Sequence, residues 1–392
     1  MGRVVTGLEV LVDEPTVISG RRWALLSNHA AVTASLAPAR SALTHVAGPP
    51  ALLLAPEHGL DGVVQDMVAV TDELDAVTGV PVRSLYGHTA AALEPRSEDL
   101  EGVEVVVVDV PDIGSRYYTF AATMDAVMAS CQAAGIQVLV LDRPNPITGT
   151  VREGGPVVAG CESFVSRIPT PVRHGLTLAE IALLLQRERY PNLELGVIPC
   201  HGWSRAVWWD ETGLPWVPPS PNMPTLETAV LYPGLCLVEA TTLSEGRGTT
   251  RPFHLVGAPW VKAEATVEAM RDLGLPGAAF RATRFRPQFG KHAGEICAGV
   301  ELHVTDRRRL ESVALGLHLL NVVADLHSDR FGWRTEPYEF VADVPALDLL
   351  TGSPEARRCI EDGKPVDDLL ASWHARVVEF EATLDGILLY HE

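Results

Sequence analysis

The feature that most constrains the fold is a set of four short apolar segments in the first 150 residues, each followed at once by polar residues. They cover residues 23–26, 52–55, 103–108 and 136–141, and the last two are rich in β-branched side chains. Such runs are typical of strands buried on both faces, as in a parallel sheet. Residues 117–134 have helical spacing and stop before Gly135. Strands separated by helices predict βαβ units and an α/β protein with a doubly wound, mostly parallel sheet.

A stretch rich in proline and glycine at residues 143–160 indicates a domain boundary. We expect a first domain at residues 1–150 and a second at residues 151–392. In the second part, the patterns predict helices at 178–189, 263–273 and 310–326, one or two closing helices at 366–389, and a strand at 299–305. Loop 214–224 contains five prolines, so it cannot be a central strand or a helix.

Composition argues against several classes of protein. The 392 residues carry a net charge of −19, from 50 acidic and 31 basic side chains, which argues against a nucleic-acid partner or an anionic membrane surface. The six cysteines are scattered without CxxC spacing, so we expect buried free thiols and no metal or redox motif. No apolar stretch has the length of a membrane span, and residues 1–14 lack the pattern of an export signal, so we expect a cytoplasmic protein. The sequence does not predict an oligomeric state.

Polar residues gather where the four predicted strands end. The clusters are Ser27-Asn28-His29, Pro56-Glu57-His58-Gly59, Asp109-Val110-Pro111-Asp112 and Asp142-Arg143-Pro144-Asn145. Because the carboxyl ends of parallel strands share one edge, where such sheets bind ligands, we expect the four clusters to converge on a site. The alternative is that these residues only form turns and helix caps, which explains any single cluster equally well. The occurrence of all four favours a site.

Two further segments have features of a ligand site. Residues 112–119 open the predicted helix, and free N–H groups there, assisted by Arg116, suit an anion. The alternative is an ordinary helix start with an exposed arginine. Residues 244–249 form a glycine-flanked loop that presents Arg247 to a ligand, or an ordinary surface turn. Trp203, Trp208, Trp209 and Trp216 lie near the proline-rich loop, where indoles stack on sugar rings or pack in a core.

The motifs of several common chemistries are missing from the sequence: GxGxxG, GxxxxGK[ST], GxSxG and HExxH. Dinucleotide binding, P-loop phosphate transfer, α/β-hydrolase chemistry and zincin chemistry therefore lose support. The acidic residues that remain as candidates at the predicted sheet edge are Glu57, Asp109, Asp112 and Asp142. A carboxylic acid with a raised pKa can protonate a leaving oxygen, which is what glycosidic cleavage requires.

A set of motifs occurs in a familiar order along the chain. They are Pro56-Glu57-His58-Gly59, Ser84-Leu85-Tyr86-Gly87, residues 112–119, residues 141–146, Gly149, residues 202–205, residues 219–224, residues 245–249 and Pro252-Phe253. This set resembles the DUF1343 family, whose characterised members are exo-acting β-N-acetylmuramidases of the NamZ type, and the match runs from about residue 6 to the C-terminus. The resemblance implies a Rossmann-like N-terminal domain, a second, smaller α/β domain that closes a cleft, and no metal, nucleotide or other cofactor.

The resemblance also implies an activity: release of terminal N-acetylmuramic acid from the non-reducing end of peptidoglycan fragments. Glu57 matches the catalytic acid, and we expect His58, Asp112 and Asp142 to assist it. The expected substrate contacts are Asn28, Tyr86, Arg116, Tyr118, Arg143, Asn145, Asn222 and Arg247. The acetamido group of the substrate is an expected nucleophile, since N-acetyl sugars allow substrate assistance.

Two departures from the family pattern leave alternatives open. Pro111 stands where the family commonly has glutamine, and Asp61 stands where it often has a basic residue. The alternatives are a muropeptide-binding protein without catalysis, a hydrolase of a related N-acetyl sugar, and a phosphosugar transferase that uses Arg116. Many relatives are exported, so a cytoplasmic chain would act on fragments already imported.

Overall fold

The computed structural model describes residues 2–391 and contains a seven-stranded and a three-stranded sheet. The strands are β1 Trp23–Ser27, β2 Leu52–Ala55, β3 Glu73–Leu74, β4 Pro81–Ser84, β5 Val105–Asp109, β6 Gln137–Leu141, β7 Leu195–Ile198, β8 Leu255–Ala258, β9 Ala278–Phe285 and β10 Cys297–Val304. The α-helices are α1 Gly7–Asp13, α2 Ala39–Ala47, α3 Phe120–Ala134, α4 Leu178–Glu188, α5 Leu226–Leu235, α6 Ala263–Asp272, α7 Ser312–Leu326, α8 Ala346–Thr351, α9 Glu355–Glu361 and α10 Val366–Glu381. Short 3₁₀ segments lie at Pro15–Val17, Ala90–Leu93, Ser97–Leu100, Phe164–Ser166, Trp209–Glu211 and Cys236–Ala240.

The large sheet has the strand order β3-β4-β2-β1-β5-β6-β7. All neighbouring strands are parallel except β3 and β4, which pair antiparallel at one edge. The chain builds outward from β1 through β2 on one side and from β5 on the other, so the sheet is doubly wound with a switch point between β1 and β5. The four strands predicted from the sequence are β1, β2, β5 and β6, and the predicted fold class is confirmed.

Alternate residues of the central strands enter two different cores. Val105 and Val107 belong to the apolar cluster formed with α1 and α2 on one face of the sheet. Val106 and Val108 belong to the cluster formed with α3 and α4 on the other face. Burial on both faces explains why these strands read as continuous apolar runs. The second cluster continues into the smaller unit, so the two units share a core.

The smaller unit is built on an antiparallel sheet of order β8-β10-β9, with α5, α6 and α7 packed beside it. Helices α5 and α7 cross closely: a Cβ atom added to Gly316 would lie 2.1 Å from the carbonyl oxygen of Gly234. Both positions therefore require glycine. The helices predicted at 263–273 and 310–326 are α6 and α7, and the strand predicted at 299–305 lies within β10 apart from its last residue.

The boundary expected at residues 143–160 does not end the large sheet. Strand β7 lies beyond it and pairs in parallel with β6, with Leu141 opposite Ile198. Helix α4, which connects the two strands, also lies beyond it. The proline and glycine residues that suggested a linker instead form the loop that leaves the carboxyl end of β6. The large unit therefore extends at least to residue 198.

The segment 389–391 returns to the large unit from the far end of the chain. The hydroxyl of Tyr390 donates a hydrogen bond to Asp142 and accepts one from the backbone N–H of Cys200 at 2.8 Å. The backbone N–H of Leu389 donates to Glu180 at 2.9 Å. The backbone N–H of Arg205 donates to the carbonyl of His391 at 3.0 Å. These contacts join residues 389–391 to the loop after β6, to the first turn of α4 and to the segment after β7.

All six cysteines are buried and free, as the sequence predicted. None of the helices within residues 2–391 combines the length and apolar content needed to cross a bilayer.

Candidate active site

A pocket lies between the two units, beyond the carboxyl end of β2 and beside the start of α3. The large unit supplies residues from the loop after β2, from the segment before α3 and from the 3₁₀ segment Phe164–Ser166, and later parts of the chain supply the opposite wall. The polar lining residues are Glu57, His58, Asp66, Tyr117, Tyr118, Thr119, Ser220, Asn222, Tyr232, Glu239, Arg247, Tyr338 and Glu339. The pocket thus joins segments that are far apart in sequence.

Glu57 occupies the first turn after β2 and is 4% exposed. The hydroxyl of Thr119 donates to its Oε2 at 2.7 Å, and the backbone N–H of Met67 donates to its Oε1 at 3.1 Å. Thr119 is the N-cap residue of α3, but its side chain makes no cap hydrogen bond. Its hydroxyl instead serves Glu57. Two fixed donors therefore hold the Glu57 carboxyl group at the wall of the pocket.

His58 also lines the pocket, and its contacts define its tautomer. Its Nδ1 lies 2.8 Å from the carbonyl oxygen of Val64. Because a carbonyl oxygen can only accept a hydrogen bond, Nδ1 carries a proton and is the donor in this contact.

Backbone strain is concentrated around the pocket. Four lining residues other than glycine have positive φ angles: His58 at 71°, Met67 at 58°, Phe253 at 62° and Glu339 at 45°. Side chains with a Cβ atom rarely adopt this region, and such strain persists where surrounding structure enforces it, often at functional sites. The strain is therefore a physical sign of function that is independent of the motifs.

Arg247 is the arginine that lines the pocket, and three acids surround it. Its distances to Asp66, Glu239 and Glu245 are 3.1 Å, 2.6 Å and 3.4 Å. Burial alone would lower the pKa of Arg247, but these negative charges raise it well above its ordinary value. Lys291 lies 3.1 Å from Glu245 and completes the network. The site around Arg247 is therefore a compact set of paired charges.

Glu339 and Tyr338 complete the wall formed by the smaller unit, and the sequence analysis missed both. The hydroxyl of Tyr86 donates to Glu339 at 2.9 Å, while the hydroxyl of Tyr338 donates to Glu239 at 2.9 Å. Burial, and next the negative charge of Glu57, raise the pKa of Glu339 well above its ordinary value. Tyr86, which was expected to touch the substrate, lies behind Glu339 instead of lining the pocket. No motif marks the loop that carries these residues.

Asp142 was expected to assist Glu57, but it does not line the pocket. It is fully buried outside the pocket, where it accepts hydrogen bonds from Thr177 Oγ1 at 2.7 Å, from the backbone N–H of Ala179 at 3.0 Å and from Tyr390. It thus satisfies the start of α4, as the turn-and-cap alternative proposed. Burial raises the pKa of Asp142 to about 7.

Four expected substrate contacts also lie outside the pocket, and their side chains form hydrogen bonds or ion pairs with other protein groups. Arg116 is buried and donates to three carbonyl groups, those of Gly155, Thr170 and Leu350. Arg143 forms a bidentate ion pair with Asp109, at 2.6 Å and 2.9 Å, and donates to Val32 O. Asn145 donates to Leu176 O, and Asn28 donates to Pro219 O. These residues hold loops in place, and Arg116 is not available to an anion.

Asp112 lies in a second cavity, at the switch point between β1 and β5. Its Oδ2 accepts from the backbone N–H of Gly114 at 2.7 Å and lies 3.2 Å from His174 Nε2. Trp209 and Trp216 line the same cavity, with ring centroids 5.9 Å apart. The other two tryptophans are core residues: Trp203 packs against Tyr390, and Trp208 is buried under arginine side chains.

The expected convergence is therefore partial. The structure brings Glu57, His58, Tyr118, Asn222 and Arg247 to one pocket, while the ends of β1, β5 and β6 form other contacts. Within residues 2–391, no group of three or more His, Cys, Asp or Glu side chains is arranged to hold a metal ion.

Comparisons with known proteins agree with this two-part architecture. Residues 23–227 match the family model described as exo-beta-N-acetylmuramidase NamZ, N-terminal, and residues 230–390 match its C-terminal counterpart. The peptidoglycan beta-N-acetylmuramidase NamZ of Bacillus subtilis (strain 168) is 38% identical over 99% of this chain and 92% of its own length.

Two crystal structures of DUF1343 family proteins from Bacteroides fragilis NCTC 9343 superpose on the chain. One has a TM-score of 0.89 and 32% identity, with 99% of each chain covered. The other has a TM-score of 0.77 and 28% identity, with 100% of each chain covered. The motifs, the fold and these matches agree, and the chain belongs to the exo-β-N-acetylmuramidase NamZ family.

Proposed function

We propose that this chain is a glycoside hydrolase that releases terminal N-acetylmuramic acid from the non-reducing end of peptidoglycan fragments, with the pocket around Glu57 as its active site. The observation that carries the assignment of the site is the placement of Glu57. It is buried, held by two hydrogen-bond donors, and opens onto a pocket that both units enclose. A carboxyl group so placed meets the geometric requirement for a general acid.

Glu57 donates its proton to the glycosidic oxygen as the bond to the anomeric carbon breaks. The oxygen of the substrate's acetamido group attacks that carbon, and water then opens the intermediate. Tyr118, Asn222 and Arg247 line the pocket and are the proposed contacts to sugar hydroxyls and to the lactyl carboxylate. Asp112 and Asp142 have no part in this mechanism, because neither lines the pocket.

The two departures from the family pattern do not touch this pocket. Asp61 is not among the residues that line the pocket, and it accepts a hydrogen bond from Arg40 at 2.9 Å. Pro111 lines the second cavity. This placement favours the family substrate over a related N-acetyl sugar and weakens the case for a catalytically dead relative. The transferase alternative loses its anion site, because Arg116 is occupied by three carbonyl groups.

Hydrolysis of an aryl β-N-acetylmuramide tests the proposal. General acid catalysis contributes about 10²- to 10⁴-fold, so Glu57→Gln is expected to lower kcat/KM by that factor. Glu73→Gln is the matched control, because Glu73 is an exposed glutamate on the same unit. Undiminished turnover by the Glu57 variant would remove Glu57 from this role. Binding of a muropeptide without any turnover by the wild type would instead favour the binding-protein alternative.

Two finer features remain proposals. We propose a partner set limited to small glycan or muropeptide substrates, without nucleic acid or membrane, on the basis of the net charge of −19. The cytoplasmic location expected from the sequence stays a prediction, which fractionation of producing cells tests.

A further inference from the structure

Two carboxyl groups of the pocket differ from the other acids around them. Asp66 and Glu239 form ion pairs with Arg247, and Glu245 pairs with Lys291. Glu57 and Glu339, in contrast, have no cationic partner within the described part of the chain, and both are buried, at 4% and 6% exposure. Each accepts hydrogen bonds from neutral donors. The pocket thus holds a pair of uncompensated carboxyl groups, one from each unit.

The loop that carries Glu339 is shaped to hold this side chain in the pocket. Glu339 and Phe340 have φ angles of 45° and 69°, a strained conformation for residues with side chains. The ring of Phe340 packs against Tyr86 at a centroid distance of 5.6 Å, and Tyr86 donates its hydroxyl hydrogen to Glu339. The surrounding packing therefore enforces a strained placement that points Glu339 towards the substrate space.

Two buried carboxyl groups in one pocket cannot both ionise without a large electrostatic penalty. Burial and the charge of Glu57 both raise the pKa of Glu339, which favours its protonated form at neutral pH. The titratable and charged groups that face Glu339 are Glu57, Asp66, Tyr86, Tyr338, Glu239 and, through their acids, Arg247 and Lys291. Most of the direct neighbours are acidic, so they reinforce the retention of a proton.

We propose that Glu339 is the second catalytic carboxyl group of this site, and that Glu57 and Glu339 enter the reaction with one proton between them. The inference rests on the proposed function. Glu339 holds this proton in the resting site, and the proton reaches the glycosidic oxygen through Glu57 as the bond to the anomeric carbon breaks. Water later adds its hydroxyl group to that carbon, and the remaining proton of the water returns to the carboxyl pair. The number of protons on the pair is then restored for the next turnover.

The pH dependence of kcat/KM on the aryl muramide tests this pair. Glu339→Gln removes the carboxyl group whose pKa is raised by burial and by the charge of Glu57, so the pocket loses the group that retains a proton at neutral pH. We expect the alkaline limb of the profile to move to lower pH by about one unit or more, with roughly tenfold or greater loss at pH 7 that recovers in acid. Glu336→Gln, an exposed residue of the same loop, should keep the wild-type profile. An unmoved alkaline limb in the Glu339 variant would overturn the proposal, because a merely structural role lowers activity at every pH.

A second measurement does not depend on activity. Carbon-13 labelling of glutamate side chains allows the Glu339 carboxyl resonance to be identified by its loss in Glu339→Gln, or in Glu339→Asp should the first variant not fold. We expect this carboxyl group to be neutral at pH 7 in the wild type and to lose its proton at lower pH in Glu57→Gln. An ionised Glu339 at pH 7 would refute the shared proton. If the wild type did not cleave muramides, the proposed function would fail, whereas this titration would still decide the state of the pair.

Discussion

Thr119→Val isolates the contribution of one hydrogen bond to the placement of Glu57. The Thr119 hydroxyl donates to Glu57 Oε2 at 2.7 Å, and the residue is 6% exposed. Valine preserves the branched shape and removes the donor. Because the Thr119 side chain does not cap α3, the helix keeps all of its own hydrogen bonds in the variant. The substitution therefore changes the active site without removing a fold contact other than this one.

The magnitude follows from the type of bond. A buried hydrogen bond to a carboxyl group that ionises contributes about 1.5–3 kcal/mol. If Thr119 positions Glu57 for the chemical step, that loss appears in the barrier, and about 1.4 kcal/mol corresponds to a tenfold change. We expect kcat to fall by about 10- to 150-fold while KM changes little.

The assay compares wild type, Thr119→Val and Thr119→Ser on the aryl muramide, with circular dichroism as a check on folding. Serine keeps the hydroxyl group and loses one methyl group, so it should retain most of the activity. A valine variant with wild-type kcat would refute the argument that this hydrogen bond orients the catalytic carboxyl group. Equal losses in the serine and valine variants would assign the effect to packing instead.

Two further predictions concern stability. Burial raises the pKa of Asp142 to about 7 from an ordinary value of 3.8. Above about pH 4 the unfolded chain loses this proton while the folded chain keeps it, so the contribution of Asp142 to folding stability is complete below about pH 4 and is lost as the pH rises through 7. The free energy of unfolding in urea should therefore rise for Asp142→Asn relative to wild type between pH 5 and 7, by at most about 1.4 kcal/mol per pH unit. A difference between the two proteins that does not change with pH would contradict this prediction. Gly316→Ala should lower the free energy of unfolding by about 1–3 kcal/mol, because the Cβ atom of alanine would clash with the carbonyl oxygen of Gly234. This cost exceeds the gain from the better helix propensity of alanine. A more stable variant would show that α5 and α7 can move apart without cost.

The central strands and most helices could be predicted because their signals are local. The run at 103–108 is buried on both faces, so its apolar residues are continuous, and β5 occupies Val105–Asp109. The helix predicted at 117–134 begins three residues later, at Phe120. Tyr117 and Tyr118 share its apolar spacing, but they line the pocket ahead of the helix. Apolar periodicity alone does not distinguish these two forms of burial.

The candidate site was predictable only in part: Glu57 and Arg247 were expected to lie there, and Glu339 was not. Glu57 follows a strand and lies two residues before a glycine, and this pattern indicated an acidic side chain held at the end of a strand. The direction of a strand-end side chain, however, depends on what packs against it. Asp142 turns towards the start of α4, and Arg143 turns towards Asp109. These contacts join distant residues, so no local pattern could reveal them.

Tyr338 and Glu339, in the opposite wall of the pocket, gave no sequence signal. Glu339 lies in a loop without a glycine-rich motif or a strand before it, and its position follows from packing on Tyr86, more than 250 residues earlier. The positive φ angles around the pocket could not be predicted either, because they occur at His58, Met67 and Phe253 as well as Glu339, residue types that rarely adopt them.

The return of segment 389–391 to the large unit has a consequence for synthesis in the cell. Tyr390 contacts Asp142 across a separation of 248 residues, and neighbouring residues contact Glu180 and Arg205. A ribosome adding about 5–20 residues per second needs on the order of 10–50 s to cover that separation. During this time the polar groups of Asp142, Cys200 and Glu180 lack the partners that segment 389–391 supplies in the finished fold.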